Sequence, residues 1–179
     1  MDTINIFWFR RDLRIEDNIA LYHALAQEIP VLPIFIFDTN ILDDLQNKKD
    51  RRVDYIHQAL ENLNEILKYE NSSLLIRYGN PLKVLNEINK NFNIQSIYCN
   101  EDYEPYGIKR DLEVSKQFNL IQFKDHVLFR FDEILKKDQT PYTVFTPYAK
   151  QWKLKIKESD YIEVIPSSSN FYSSTFEFP

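Results

Sequence analysis

The stretch FWFRRDLRIEDN, Phe7 to Asn18, passes within one position from large apolar side chains to a cluster of three arginines and two aspartates. It closes a longer apolar run, INIFWF at residues 4–9. A run without polar alternation is read as a strand buried on both faces. Arg10, Arg11 and Arg14 are costly to bury unless something pairs with them. The switch therefore marks either surface decoration or the edge of a site.

Further apolar runs suited to buried strands follow at VLPIFIF (31–37), SLLIRY (73–78), SIYC (96–99) and LIQF (120–123). Helical periodicity fills the gaps. In RVDYIHQALENLNEIL, Val53, Ile56, Leu60, Leu63 and Leu67 share one face, with His57 beside the stripe as an ordinary surface or packing residue. NIALYHALAQ is capped by Asp17 or Asn18. PLKVLNEINKNF starts at Asn80 with Pro81 in the first turn, and PYGIKRDLEVSKQF follows Glu104. Strand and helix alternating about five times imply a doubly wound, Rossmann-like α/β fold, a parallel sheet with helices on both faces. Pro33 argues against its own strand, because proline removes a ladder donor. Residues 1–130 are expected to form this domain and 131–179 a connector. The connector holds a short amphipathic helix, a strand-like YIEVIP (161–166), and a final SSSNFYSSTFEFP of linker composition with no core to join.

Composition narrows the function. The chain has 179 residues, 44% of them hydrophobic, and a net charge of -5, so phosphate affinity from clustered lysine and arginine is not expected of it as a whole. Two glycines, Gly79 and Gly107, cannot build a dinucleotide fingerprint or a P-loop. One cysteine, Cys99, rules out an internal disulfide and is read as a core thiol, while His23, His57 and His126 show no metal-ligand spacing. Neither a signal pattern nor a membrane-length apolar run is present, and a cytoplasmic location is expected.

In an open parallel sheet, ligands bind beyond the carboxyl ends of the strands. The residues there are Arg10, Arg11 and Asp12; Asp38; Gly79 and Asn80; and Asn100, Glu101, Asp102 and Glu104. Such an edge suits a polar, planar ligand, with Phe35 and Phe37 as apolar surface. The same charges also fit a structural ion-pair network, and Asp102 and Glu104 also fit helix-capping roles. PYTVFTPYAKQWKLKIK (141–157) interleaves aromatics with lysines, which fits single-stranded nucleic-acid contact or simple packing of the connector.

Taken together, FWFRRDLRIEDNIALYHAL, VLPIFIFDTNIL, LLIRYGNP, YCNEDYEPYGIKRD and PYTVFTPYAKQW resemble the DNA photolyase and cryptochrome family, in order and at family spacing from Ile4 to about Trp152. The resemblance implies the antenna domain of a deoxyribodipyrimidine photo-lyase, with FAD, the lesion pocket and damaged-DNA contact in a helical domain absent from this chain. Trp8 and Trp152 are then packing groups rather than relay residues. The resemblance also implies a light-harvesting chromophore lined by Arg10, Phe35, Phe37, Asp38, Arg52, Asp102 and Glu104, with Arg51 replacing Arg52 if NKKDRRV aligns one residue away. Arg10 is the expected pigment-edge contact, whereas Arg11, Asp12 and Arg14 fix the loop and the face offered to the FAD domain. Tyr106 and Gly107 stand where folate-type members tend to carry an Asn-Glu pair, which favours a deazaflavin-type pigment over reduced folate or FMN. The same domain in a cryptochrome photoreceptor, and a stand-alone nucleotide-binding module, are the alternatives.

Overall fold

The computed structural model describes residues 1–43, 45, 50–166 and 170–179. Parts of NKKDRRV (47–49) and of SSSNFYSSTFEFP (167–169) lie outside the described residues. Five strands, β1 (Thr3–Phe9), β2 (Val31–Asp38), β3 (Leu75–Gly79), β4 (Asn93–Asn100) and β5 (Leu120–Phe123), form one parallel sheet in the order β3-β2-β1-β4-β5. The chain winds outward to β3, then crosses to the far side of β1. Strand order therefore reverses between β1 and β4, the kind of point beside which open parallel sheets take ligands at their carboxyl edge.

Alternation along β1 divides the core. Phe7 and Phe9 join Leu21 and Ala24 of α1 (Ile19–Leu25) and Leu60, Leu63 and Leu67 of α3 (Arg51–Tyr69). The other face carries Ile4, Ile6 and Trp8 against Val84, Leu85 and Ile88 of α4 (Pro81–Ile88) and Val114 of α5 (Pro105–Ser115). Side chains buried this fully contribute about 1.5–3 kcal/mol each. A four-residue helix, α2 (Thr39–Leu42), follows β2 directly.

Local chemistry explains several boundaries. Of the two candidate caps for α1 it is Asn18, whose side chain accepts from the Leu21 N–H, while Asp17 takes a positive φ of 48°. Asn80 caps α4 as expected, but that helix ends at Ile88, because Asn89 turns its side chain to the Ile94 N–H and leads straight into β4. Pro33 sits well inside β2, opposite Phe7. Val31, two residues earlier and so on the same edge, bonds residues 170 and 172 rather than β1, and β3 begins only opposite Ile34. The donor that proline lacks thus faces a gap between neighbours, and no ladder bond is lost.

Two expectations for the connector are corrected. YIEVIP forms no strand; it lies largely exposed on the outside of the domain, with the Val164 N–H donating to Asp17 Oδ1 at 3.1 Å. The terminal stretch does join a core. Phe171 is 9% exposed within the α1/α3 cluster, Tyr172 and Phe176 pack on the α4/α5 cluster, and Phe178 meets the His57 ring edge-on at 5.2 Å. Ser174 of this stretch bonds Ser73, and the Phe176 N–H donates to Ser73 Oγ at 2.7 Å. Linker composition misled because four aromatics spaced by small polar residues can pin an extended strap with few contacts each. The helix expected in the connector is α6 (Phe145–Lys155), with Trp152 packed edge-on against Phe129 at 5.7 Å.

Truncating a buried Phe to Ala costs about 3 kcal/mol where the site cannot collapse. Phe171→Ala is expected to lower the urea midpoint of the whole domain in one cooperative transition. Were the strap a detached linker, the midpoint would stay unchanged.

Candidate chromophore cleft

The first strand ends in a network that accounts for most of the charges in RRDLRIEDN. Asp12 accepts from the Arg10 backbone N–H at 3.0 Å and from Asn100 Nδ2 at 2.5 Å; Asn100 Nδ2 also reaches Asn18 Oδ1 at 2.9 Å, and Asn100 Oδ1 accepts from the Ala20 N–H. One buried amide thus ties the ends of β1 and β4 to the start of α1. Arg14 holds Asp125 at 2.7 Å, and Asp125 in turn accepts from the Ile19 N–H. Asp12, Asp125 and His126 bring ligand-type atoms within 4.8 Å of one another, a grouping the histidine spacing did not suggest. Both carboxylates are already engaged in closing the loop.

Arg10 does not reach outward. Its side chain is 6% exposed, with Nη1 at 2.7 Å from both oxygens of Asp111 on α5 and Nη2 bonded to the Asn100 carbonyl. Burial works against its charge, and the attraction and hydrogen bonds of Asp111, with Asp12, more than offset this and raise its pKa. Arg110 shares Asp111 at 2.9 Å and lies 3.4 Å from Asp102. Both guanidinium groups flank the indole of Trp8, at 5.3 Å for Arg10 and 4.9 Å for Arg110. Burial pushes the neighbouring Cys99 thiol up to about 12, which suits an inert core group.

Beyond this layer the carboxyl ends of β1 and β2 open into a cleft of about 640 Å³, walled by α2, the start of α3 and the first turns of α5. All seven residues expected at the edge line it: Arg10, Phe35, Phe37, Asp38, Arg52, Asp102 and Glu104. Phe35 and Phe37 form a T-shaped pair with centroids 5.0 Å apart. Ile41, Leu42 and Ile56 extend the apolar surface. The volume falls in the range of about 300–1,000 Å³ usual for small-molecule sites.

The polar fringe is almost wholly paired. Asp38 caps α2 by accepting from Asn40, and its other oxygen accepts from the Tyr106 hydroxyl at 2.5 Å. Burial, then that bond to Asp38, pushes Tyr106 up to about 12, so the phenol stays protonated. Arg11 meets Glu104 at 2.7 Å. Arg52 curls back onto Asp50, the cap of α3, at 2.6 Å; hydrogen bonds from Arg52 hold that carboxyl at about 2. Asp102 accepts from the Glu104 N–H and packs so closely beneath Gly107 that a Cβ there would lie 2.4 Å from Asp102 Cγ. The glycine is required by this approach, not by its backbone angles.

Sequence reasoning missed Tyr106, Asn40 and Arg110 as wall residues and Asp111 as the anchor of Arg10. Tyr106 and Arg110 sit four residues apart on α5, so helical spacing from Asp102 and Glu104 was the available signal. Arg51, the alternative to Arg52, does not line the cleft.

The DNA photolyase family profile matches residues 5–167. The chain belongs to this family. It is 32% identical over 85% of its length to a deoxyribodipyrimidine photo-lyase of Synechococcus sp., 32% of which it covers. It is 33% identical over 88% to the photo-lyase of Alkalihalophilus pseudofirmus, covering 34% of it, and 30% identical over 77% to Cryptochrome-1 of Spalax judaei, covering 24%. It therefore spans about a third of the curated photo-lyases it matches. Among solved structures, a class III photolyase from Agrobacterium tumefaciens superposes with a TM-score of 0.81 at 21% identity, over 100% of this chain and 36% of that one. An archaeal photolyase from Sulfolobus tokodaii, solved with two FAD molecules, gives 0.71 at 30% identity over 88% of this chain and 36% of its own.

Burial opposes ionisation of Asp102, but the Glu104 N–H, Arg11, Arg110 and Arg10 outweigh it and hold its pKa below the ordinary value. A depressed carboxylate contributes stability above its unfolded pKa and loses it as pH falls through the native one. Urea unfolding is expected to show Asp102→Asn less stable than the parent at neutral pH, with the gap narrowing on acidification below the ordinary aspartate pKa. A gap independent of pH would remove the charge from the explanation.

Proposed function

We propose that this chain is the light-harvesting α/β domain of a DNA photo-lyase, holding a tricyclic chromophore in the cleft at the carboxyl edge of the sheet. The observation that carries the reading is convergence. Seven residues from four separate stretches of sequence line one cavity of about 640 Å³ with aromatic walls and a polar rim. The whole protein is then a light-dependent lyase for pyrimidine dimers, with FAD and DNA contact supplied by a helical domain. Photo-lyase relatives at 25–33% identity and a cryptochrome at 30% overlap, and light-dependent repair by the full-length protein is the assay that separates repair from signalling.

A light-harvesting pigment supplies an excited state that passes to FAD without bond chemistry at the protein. The chain has to position a ring, match its edge atoms and exclude water. Phe35, Phe37, Ile41, Leu42 and Ile56 offer apolar contact to the faces of such a ring. At the rim, Asp38 presents acceptor oxygens held in place by Asn40 and Tyr106, and the two amide hydrogens of Asn40 are spent on Asp38 and Tyr106.

The fringe also bears on pigment type. Arg10 and Arg110 are spent on Asp111, which among the described wall residues leaves Arg11 and Arg52, 56% and 75% exposed, to meet a phosphate. A deazaflavin-type ring without strong anchoring of a phosphate suits this balance better than FMN. An Asn-Glu pair in place of Tyr106 and Gly107 would displace Asp102, which disfavours reduced folate. A second flavin is the competing reading, because the Sulfolobus tokodaii relative was solved with two FAD molecules.

The test is a titration of the 179-residue chain with 8-hydroxy-5-deazariboflavin, FMN and methenyltetrahydrofolate, followed by absorption and fluorescence. Saturable uptake of the deazaflavin ahead of the others is expected. Phe37→Ala should weaken it about tenfold, equivalent to about 1.4 kcal/mol. Uptake of none of the three would refute the assignment.

A further inference from the structure

Resting on that pigment reading, we propose that Arg10 and Arg110 keep Trp8 from giving an electron to a photoexcited ring in the cleft. Their role at the indole is to protect the excited state, beyond holding the fold. Trp8 is 2% exposed and forms part of the cleft wall, whereas Trp152 packs against Phe129 and does not line it. Among the common side chains indole gives up an electron most readily without losing a proton, and an excited flavin-type ring is a strong one-electron oxidant. Side by side, one electron leaves the indole and enters the ring, no bond breaks, and return of the electron ends the excitation as heat. An antenna loses its yield by this route.

The structure opposes that step electrostatically. A cation over an aromatic ring is attracted to the electron density of the neutral π system and repelled by the radical cation that electron loss would leave. Two cations meet this one indole, and neither can swing away: Arg10 is fixed by both oxygens of Asp111 and by the Asn100 carbonyl, Arg110 by Asp111 and Asp102. The carboxylates balance the total charge, and the guanidinium groups are the ones that lie over the ring, at 5.3 and 4.9 Å. Packing alone does not call for this arrangement, since buried ion pairs are often no better for stability than apolar groups of equal volume.

Tyr106 is the rival donor in the wall. Arg110 also lies over its ring, at 5.8 Å, and Asn40 donates to its oxygen at 3.0 Å; both oppose oxidation, while Asp38, accepting its proton, favours it. The two aromatics are separated by substitution.

The experiment is time-resolved fluorescence of 8-hydroxy-5-deazariboflavin and of FMN bound to the 179-residue chain, read on the bound fraction. Trp8→Phe is expected to leave the lifetime unchanged, because the indole is already silent. Arg110→Gln should shorten it severalfold, Arg110→Lys should keep most of it, and Trp8→Phe added to Arg110→Gln should restore it. A severalfold longer lifetime in Trp8→Phe alone, or no change in Arg110→Gln, would overturn the inference. So would a restoration that needs Tyr106→Phe in place of Trp8→Phe. Uptake of neither ring would bring down the pigment reading and this inference with it; uptake with unshifted lifetimes would bring down the inference alone.

Discussion

The bidentate contact between Arg10 and Asp111 is what lets the rest of the carboxyl edge exist. β1 is buried on both faces, so its polypeptide emerges among packed side chains, and the first residue past it carries a full charge. Removing one partner from a buried pair strands the other at a cost of about 3–5 kcal/mol. Because Asp111 belongs to α5, the pair also fixes how closely that helix approaches the sheet. Arg110, on the neighbouring residue, leans over Trp8 and Tyr106 as a result. Gly107, one turn earlier, lets Asp102 slide beneath the helix. The width of the cleft follows from these contacts together.

A second consequence is the near absence of free charge inside the cleft. Arg10, Arg11, Arg52 and Arg110 all line it, yet each has a carboxylate partner within 3 Å. Pairing leaves a fringe that matches hydrogen-bonding edges and has little attraction for a polyanion. The same pairing lets a chain of net charge -5 carry four arginines around one cavity with each charge balanced locally.

Much of this was legible in the sequence. Buried parallel strands advertise themselves as apolar runs, and the place where each run meets polar residues marks the carboxyl edge, so Phe35, Phe37, Asp38 and Asp102 follow from one topological rule. What stayed hidden depends on distance along the chain. Arg10 and Asp111 are 101 residues apart, and within α5 the dipeptide Arg110-Asp111 reads as an ordinary surface charge pair. Asn100 is expected among the residues of the ligand edge, whereas its amide is spent on tying three elements together. The resemblance to a known family supplied Arg52, which apolar runs alone would not have drawn from a helix start.

The aromatic strap shows a different limit. Periodicity detects elements that bury a face along a helix or strand, and an extended segment held by isolated anchors has no period to detect. Asn170 bonds the carbonyls of Gln27 and Ile29, Tyr172 reaches Asp2, and the Ser72 hydroxyl donates to the Tyr172 carbonyl, so the strap closes the amino-terminal edge of the sheet. That edge is opposite the cleft. The two ends of the sheet are thus finished by different means: ion pairs and amides at the edge that opens into the cleft, and aromatic side chains with backbone bonds at the edge that is sealed. Sealing the far edge with the chain's own segment leaves the carboxyl edge as the open crevice of the sheet, and there the polar groups are held in fixed positions by one another.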